Sequence, residues 1–327
     1  MSKIEQAKAY TGNDLENIFF RPILTGPNAE QLGIRVLYNM PVPTTLNFWR
    51  RSGDVLQKFT SGGWSGSAAS EKFQKNIAMT RVKAEVGYSA ADYFSLVYEQ
   101  ISARPDVNMQ DLSGTELEQA ETSLFKEAIA ESIRATMWMG NSERAGKFNT
   151  FDGFIKQINT DSKVDPDLAA TTYTASDLNQ ASAAEILFDE VWTNASEALR
   201  SLKSEGNLAL FVTSDIYSLY ENSLDSAALD AAYMARQNGR AELMWRGIPV
   251  VDMRISEYLK DVIDLPKSLI ILTDRRNLAL AVNTADFPGT EVSMWYNPDL
   301  MENRQRAVFM AGCDYLLPEL VSYACQE

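Results

Sequence analysis

The sequence predicts an α+β protein, and three observations carry that reading. Leu208-Ala-Leu-Phe-Val-Thr-Ser-Asp215 and Ser268-Leu-Ile-Ile-Leu-Thr-Asp274 are short apolar runs bounded by polar residues, as buried strands are. Residues 113–140 and 183–203 each place apolar side chains at helical spacing. Residues 73–86 alternate instead with the period of a strand.

Residues 1–43 read as an extended arm. Pro22, Pro27, Pro41 and Pro43, with Gly12, Gly26 and Gly33, interrupt any long helical period, and only Ile34-Arg-Val-Leu-Tyr38 has strand character. Residues 44–88 read as a long β-hairpin. Its first limb is Thr44 to Arg51 and then Val55 to Phe59; its second runs from Phe73 to Tyr88. Phe73, Ile77 and Met79 share one phase and Val82, Ala84 and Val86 the other, which places a bulge near Thr80 and Arg81. The tip, Thr60 to Ser70, is rich in Gly and Ser. A two-stranded ribbon of this length makes no core of its own, so it needs a surface to lie on, and a neighbouring copy is the natural one.

Residues 89–103 read as a short helix. Ser113 and Glu116 then have capping-box spacing before Leu117, Ala120, Leu124, Ala128, Ile129 and Ile133, so one long helix is expected to about residue 140, its apolar side on the sheet of the body. Phe151 opens a new element, and the Thr-, Ser- and Asp-rich stretch 159–180 reads as a loop. Ser182 and Glu185 form a second capping box for a helix over 183–203, with Leu187, Val191, Ala195, Leu199 and Leu202 as its stripe and Gly206 beyond its end. A strand at 208–213 leads into a helix at 214–220. Met244 to Val251 is a turn and strand, Arg275 to Val282 follows the strand at 268–274, and Arg306 to Tyr315 with Pro318 to Val321 closes the chain.

Composition narrows the function more than it defines it. Of 327 residues, 45% are hydrophobic and 23% charged, which suits a globular protein. No run of about 18 apolar residues predicts a membrane helix, and residues 1–10 lack a signal-peptide pattern, so synthesis in a cytoplasm is expected. There is no histidine, which removes the Ser-His-Asp triad, the Cys-His dyad and imidazole metal sites. Cys313 and Cys325 form no metal or redox motif. Asp165-Pro-Asp167 and Asp261-Val-Ile-Asp264 lack an EF-hand pattern, and no Gly-Lys-Ser/Thr follows Gly62-Gly63 or Gly239. No catalytic, cofactor-binding or metal residue is predicted, and the chain is not expected to be an enzyme.

The net charge of −14 argues against a nucleic-acid-binding domain. Its distribution says more. Residues 44–85 hold seven Lys/Arg against three acids, a balance of +4 that leaves −18 for the rest. A basic ribbon beside an acidic body reads either as a docking surface for the body of another copy or as uneven charge on a solvated surface. The contact residues expected there are Trp49, Arg50, Arg51, Lys58, Trp64, Lys72, Lys75 and Arg81, because aromatic and Arg side chains dominate such interfaces. Trp245 is a further aromatic candidate, and core packing is the other reading for both Trp49 and Trp245.

The order of these elements resembles that of the major capsid proteins of tailed bacteriophages, with the Hong Kong 97-type shell fold. Met139-Gly-Asn-Ser-Glu-Arg-Ala-Gly-Lys-Phe148 followed by Phe151-Asp-Gly-Phe-Ile155 is similar to the family's glycine-bearing segment after the spine helix. Trp245-Arg-Gly-Ile-Pro-Val-Val251 is similar to its Gly-apolar-Pro-Val segment, and Thr273-Asp-Arg-Arg-Asn-Leu278 to its Asp-plus-apolar-strand pattern. The resemblance implies an α+β, Hong Kong 97-like capsid fold: N-terminal arm at 1–43, extended β-hairpin loop at 44–88, peripheral domain with the spine helix at 89–180, apical domain at 181–289 and a return to the peripheral domain at 290–327. It further implies a virion protein, made in the host cytoplasm, that assembles with itself into pentamers and hexamers of an icosahedral shell and encloses DNA without sequence-specific binding. Scaffolding, portal and decoration proteins are the other implied partners. Only about 40 residues precede the hairpin, which implies a separate scaffolding protein or none. An encapsulin-type compartment shell and a carboxylate-based enzyme without a recognised motif are the alternatives.

Overall fold

The structure is a computed structural model, and it describes residues 29–38, 44–51, 70–89, 116–180, 182–226, 243–283, 293–297, 299–300 and 302–326. The elements run β1 (Arg35–Tyr38), β2 (Thr44–Arg51), β3 (Ser70–Ile77), β4 (Thr80–Ser89), α1 (Glu116–Met139), α2 (Phe154–Asp161), β5 (Ala169–Tyr173), α3 (Ala183–Asn194), α4 (Glu197–Ser201), β6 (Leu208–Val212) and α5 (Ser214–Ser226). They continue as β7 (Met244–Trp245), β8 (Ile248–Asp252), α6 (Ser256–Leu259), β9 (Leu269–Asp274), β10 (Leu278–Asn283), β11 (Ser293–Asn297), β12 (Glu302–Tyr315) and β13 (Val321–Gln326).

Two sheets organise the body. The five-stranded sheet has the order β1-β10-β12-β11, with β4 also on β12. β12 is its axis: one side takes β10 and β11, and the other takes β4 through ten residue pairs from Glu302↔Ser89 to Ala311↔Thr80. The six-stranded sheet has the order β5-β13-β9-β6-β8-β7. Its central strands β6 and β9 are buried at every position, which is why both read as unbroken apolar runs. Alternate residues of β6 serve two cores. Ala209 and Phe211 point to a core built with Met137, Trp138, Phe154, Ile271, Phe309 and Tyr323. Leu208, Leu210 and Val212 point to a second, under α3 and α5, with Leu187, Phe188, Val191 and Leu272. Trp138 is the hub of the first, with Phe154 at 5.4 Å and Phe211 at 5.3 Å between ring centres.

The long helix forms as expected, and Ile129 and Ile133 pack on the main core. The side chains of Leu117 and Leu124 lie outside the described residues. The expected helix over 183–203 is broken. α3 stops at Asn194, Ala195 turns extended (φ −59°, ψ 145°), and Ser196 starts α4 by accepting the Leu199 amide. Ser196 also donates to the Glu319 carbonyl, so the break is held from outside the helix. Ser182 makes no cap bond; its φ is +57°, and Glu185 accepts from Ser223 instead. The stretch expected to be a loop contains β5, which pairs in parallel with β13. α5 extends to Ser226 rather than stopping near residue 220.

The hairpin also differs from expectation. Ser70–Ile77 pairs with Thr44–Arg51, but Thr80–Ser89 leaves the ribbon and joins β12 of the same chain. The change of phase read as a bulge is a change of sheet, at Ala78 and Met79. The sheets also cross the expected divisions. β5 and β13, from stretches expected to be peripheral, lie in the six-stranded sheet, and β10, from the stretch expected to be apical, lies in the five-stranded one. The expected helix beyond Ser89 and most of the arm lie outside the described residues.

Candidate functional site

The basic ribbon is the candidate site, and its root shows how it is held. Ile77, the last residue of β3, is fully buried against Ala279, Ala281 and Leu316. At the next residue the chain bends over β12 so closely that a β-carbon on Gly312 would stand 2.1 Å from the Ala78 carbonyl oxygen. Only glycine lets the two backbones meet there. Two residues further out on β3, the Lys75 ammonium lies 3.3 Å from the Asp314 carboxylate and 4.8 Å from the centre of the Tyr315 ring. The Tyr315 hydroxyl in turn donates to Asp161 at the end of α2.

Electrostatics at this root are unusual for a surface ribbon. Burial pushes the Asp314 carboxyl up to about 6, with Lys75 pulling it down and Asp161 pushing it further up. Burial and the hydrogen bond to Asp161 push the Tyr315 hydroxyl far above its ordinary range. The neighbouring Cys313 thiol is held neutral by burial.

The expected contact residues fall into three groups. Trp49, Arg50 and Arg51 lie on β2 opposite Lys72, Glu71 and Ser70 of β3, so the ladder brings the basic positions to one end of the ribbon. Their side chains, and that of Lys72, lie outside the described residues, as do Lys58 and Trp64 entirely. Lys75, expected on a neighbouring copy, is engaged by its own chain, because a partly buried carboxylate on β12 draws it in. Arg81 is exposed on β4, opposite Met310 of β12. It continues into a charged face with exposed Lys83, Glu85 and Arg306 and half-buried Glu302 and Arg304, laced by Lys83–Glu85 at 2.8 Å, Arg304–Glu302 at 3.3 Å and Arg306–Glu85 at 3.4 Å. Trp295, 41% exposed, lies beside Arg304 in the ladder.

Trp245 is a core residue: it is buried with Phe188 at 5.9 Å and Trp192 at 6.3 Å, and Arg246 covers its ring at 4.7 Å. The loop carboxylates are occupied by protein. Asp264 takes both Arg144 and Asn141, Asp261 faces Lys147, and Asp165 accepts the Asp167 amide. Among the described residues no group of three or more His, Cys, Asp or Glu is placed to hold a metal ion, and no helix is long and apolar enough to cross a membrane. Asp314, Tyr315, Asp161 and Gly312 were not singled out by sequence. The one signal was an acid alone in the run Val308-Phe-Met-Ala-Gly-Cys-Asp-Tyr315.

No family model matches the chain, and no curated protein matches it in sequence. Solved structures match it along its length. The capsid of Myoviridae phage XM1 aligns over 94% of this chain and 94% of its own, with a TM-score of 0.54 at 12% identity. The satellite phage P4 procapsid with its size determination protein aligns over 100% and 94%, with a TM-score of 0.57 at 9% identity. This is the tailed-phage capsid fold. The capsid of the empty GTA particle has it too, aligning over 99% of this chain and 94% of its own, with a TM-score of 0.51 at 14% identity. At such identities few side chains are shared, so the capsid fold is carried by the order and pairing of elements.

Proposed function

We propose that the chain is the major capsid protein of a tailed bacteriophage, a subunit that assembles with copies of itself into pentamers and hexamers of an icosahedral shell around DNA. The observation that carries this reading is the likeness to capsid structures over nearly the whole of both chains. In this reading residues 1–43 are the arm, the ribbon of β2 and β3 is the extended loop, and α1 is the spine helix. The six-stranded sheet belongs to the apical part and the five-stranded sheet to the peripheral part.

The mechanism is geometric. A ribbon that lacks a core of its own reaches a neighbour, and its positive charge meets a body carrying the negative remainder. Arg50, Arg51, Lys58, Lys72, Trp49 and Trp64 make that contact, with Arg81 on the adjoining face. Each contact is weak, but one subunit engages several neighbours, and closure of the shell makes loss of any one subunit slow. The acidic remainder limits adhesion of the enclosed DNA. Scaffolding, portal and decoration proteins complete the particle, which forms in the host cytoplasm.

Electron microscopy of the purified protein tests the reading. Closed shells are expected, and small discrete particles with a substrate-dependent activity point to an enzyme instead. DNA inside particles from infected cells separates a phage shell from an encapsulin compartment filled with protein.

A further inference from the structure

Three contacts join the root of the ribbon to the body. Ile77 is buried beside Leu316, the Ala78 carbonyl lies over Gly312, and Lys75 reaches Asp314 and Tyr315. The first two are apolar or steric and do not respond to solution conditions. The third is ionic, and one partner is a carboxylate whose side chain is 14% exposed. We propose that Lys75 and Asp314 form a proton-released latch: ionised Asp314 holds the root of the ribbon against β12, and protonated Asp314 lets it go.

The surroundings of Asp314 favour this chemistry. Lys75 on β3 faces it as the cation. From α2, Asp161 adds negative charge, and Asp165 just beyond α2 acts in the same sense on Tyr315. On β12 itself the flanking Cys313 and Tyr315 stay neutral, and Asp152 lies near Cys313. Burial and Asp161 both favour the neutral acid, while Lys75 and, after it, the Tyr315 backbone amide favour the ion. The carboxyl therefore changes state around pH 6 rather than near pH 4. Once it is neutral, the half-buried ammonium has lost its counter-charge and gains by turning to water.

The sign for the body is the opposite of that for the latch. A carboxyl raised by folding contributes stability that is full below its unfolded value and is lost as pH rises through about 6. Acid thus opens the latch while this group makes the body more stable, so the loosening is confined to the ribbon root. The latch belongs to the single chain and stands apart from the shell reading; on that reading it governs the reach of the ribbon toward a neighbour.

Hydrogen exchange on unassembled full-length chain, at about pH 7.5 and about pH 5 and corrected for intrinsic rates, tests it. Peptides covering residues 70–79 are expected to lose protection about tenfold in acid, while those covering 208–212 and 269–274 keep theirs. Asp314→Asn, uncharged throughout, is expected to exchange fast at 70–79 at both pH values. Lys75→Met, which leaves the buried strand β12 unchanged, is expected to do the same and supplies the result if the first variant does not fold. Equal protection of 70–79 at both pH values in the native chain overturns the proposal. So does native-like protection at about pH 7.5 in a folded Asp314→Asn or Lys75→Met chain.

Discussion

Arg134 and Glu131 sit one turn apart on α1 as a buried ion pair, with 2.5 Å between Nη2 and Oε1 and side chains only 3% and 7% exposed. Arg134 also reaches the carbonyls of Met253 at 2.7 Å and Arg254 at 3.2 Å, and the Tyr258 hydroxyl donates to Glu131 at 2.9 Å. The pair therefore fastens the long helix to the chain between β8 and α6. Arg254 takes a φ of +51° at that point, a conformation that a side chain rarely adopts.

Breaking this pair by Glu131→Gln leaves a buried guanidinium without its counter-charge. The expected loss is about 3–5 kcal/mol in urea unfolding. Glu131→Gln with Arg134→Met should lose less than the two single losses added together, since each single change already breaks the shared contact. Strict additivity would mean that the pair is not coupled.

Gly312→Ala should destabilise the chain by about 1–3 kcal/mol, because its β-carbon meets a backbone oxygen that has no side-chain rotamer to relieve it. The same variant should raise exchange at residues 76–80 above that of the core strands. Wild-type stability and exchange would show that β12 and the bend do not approach so closely.

Trp138→Ala should cost about 3–5 kcal/mol, since the ring is fully buried between Phe154 and Phe211. Val164→Ala, at a side chain 79% exposed, should stay within about 0.5 kcal/mol. Similar losses from the two would place the core elsewhere.

Two carboxylates should bend the pH–stability curve in opposite directions. Burial alone would raise the Asp264 carboxyl, but Arg144 and Asn141 hold it below the ordinary carboxylate range. Its contribution is present above the unfolded value of about 4 and lost as pH falls through the depressed folded one, so Asp264→Asn should flatten the acid limb. Asp314→Asn should instead remove a gain in stability that appears as pH falls from about 6 toward about 4. Matching slope changes for both variants would contradict these assignments.

On the proposed shell function, Arg50→Glu with Arg51→Glu should impair assembly and leave the unfolding transition of the free chain unchanged, because both positions lie on a ribbon outside the body's sheets. Normal shell yield from that variant would remove the ribbon from the assembly contact.

What the sequence makes legible here is local. β6 and β9 announce themselves because both faces are covered, and α1 because its stripe holds its period to Ile133. β5 hides because Ala169-Ala-Thr-Thr-Tyr173 has strand-forming residues but no apolar alternation. The helix break at Ala195 hides because Val191, Ala195 and Leu199 all reach one core, so the stripe runs on through the interruption. Pairing across long sequence separations was beyond reach. Val82, Ala84 and Val86 alternate in the same way whether their partner is β2 or a strand 220 residues further on. For the same reason Lys75 reads as one more basic residue of the ribbon until Asp314 is placed beside it.

The positions of β12 and β13 carry a consequence for the order of events during synthesis. β12 is the axis of one sheet, and β13 lies inside the other, between β5 and β9. The five-stranded sheet waits for β12, which ends at Tyr315, to leave the ribosome, and the six-stranded sheet waits for β13, which ends at Gln326. Until then β4 lacks β12, β5 lacks β13, and β10 has β1 but not β12. A nascent chain therefore has no finished body before these strands emerge, and translation itself sets the earliest moment at which its two sheets can close.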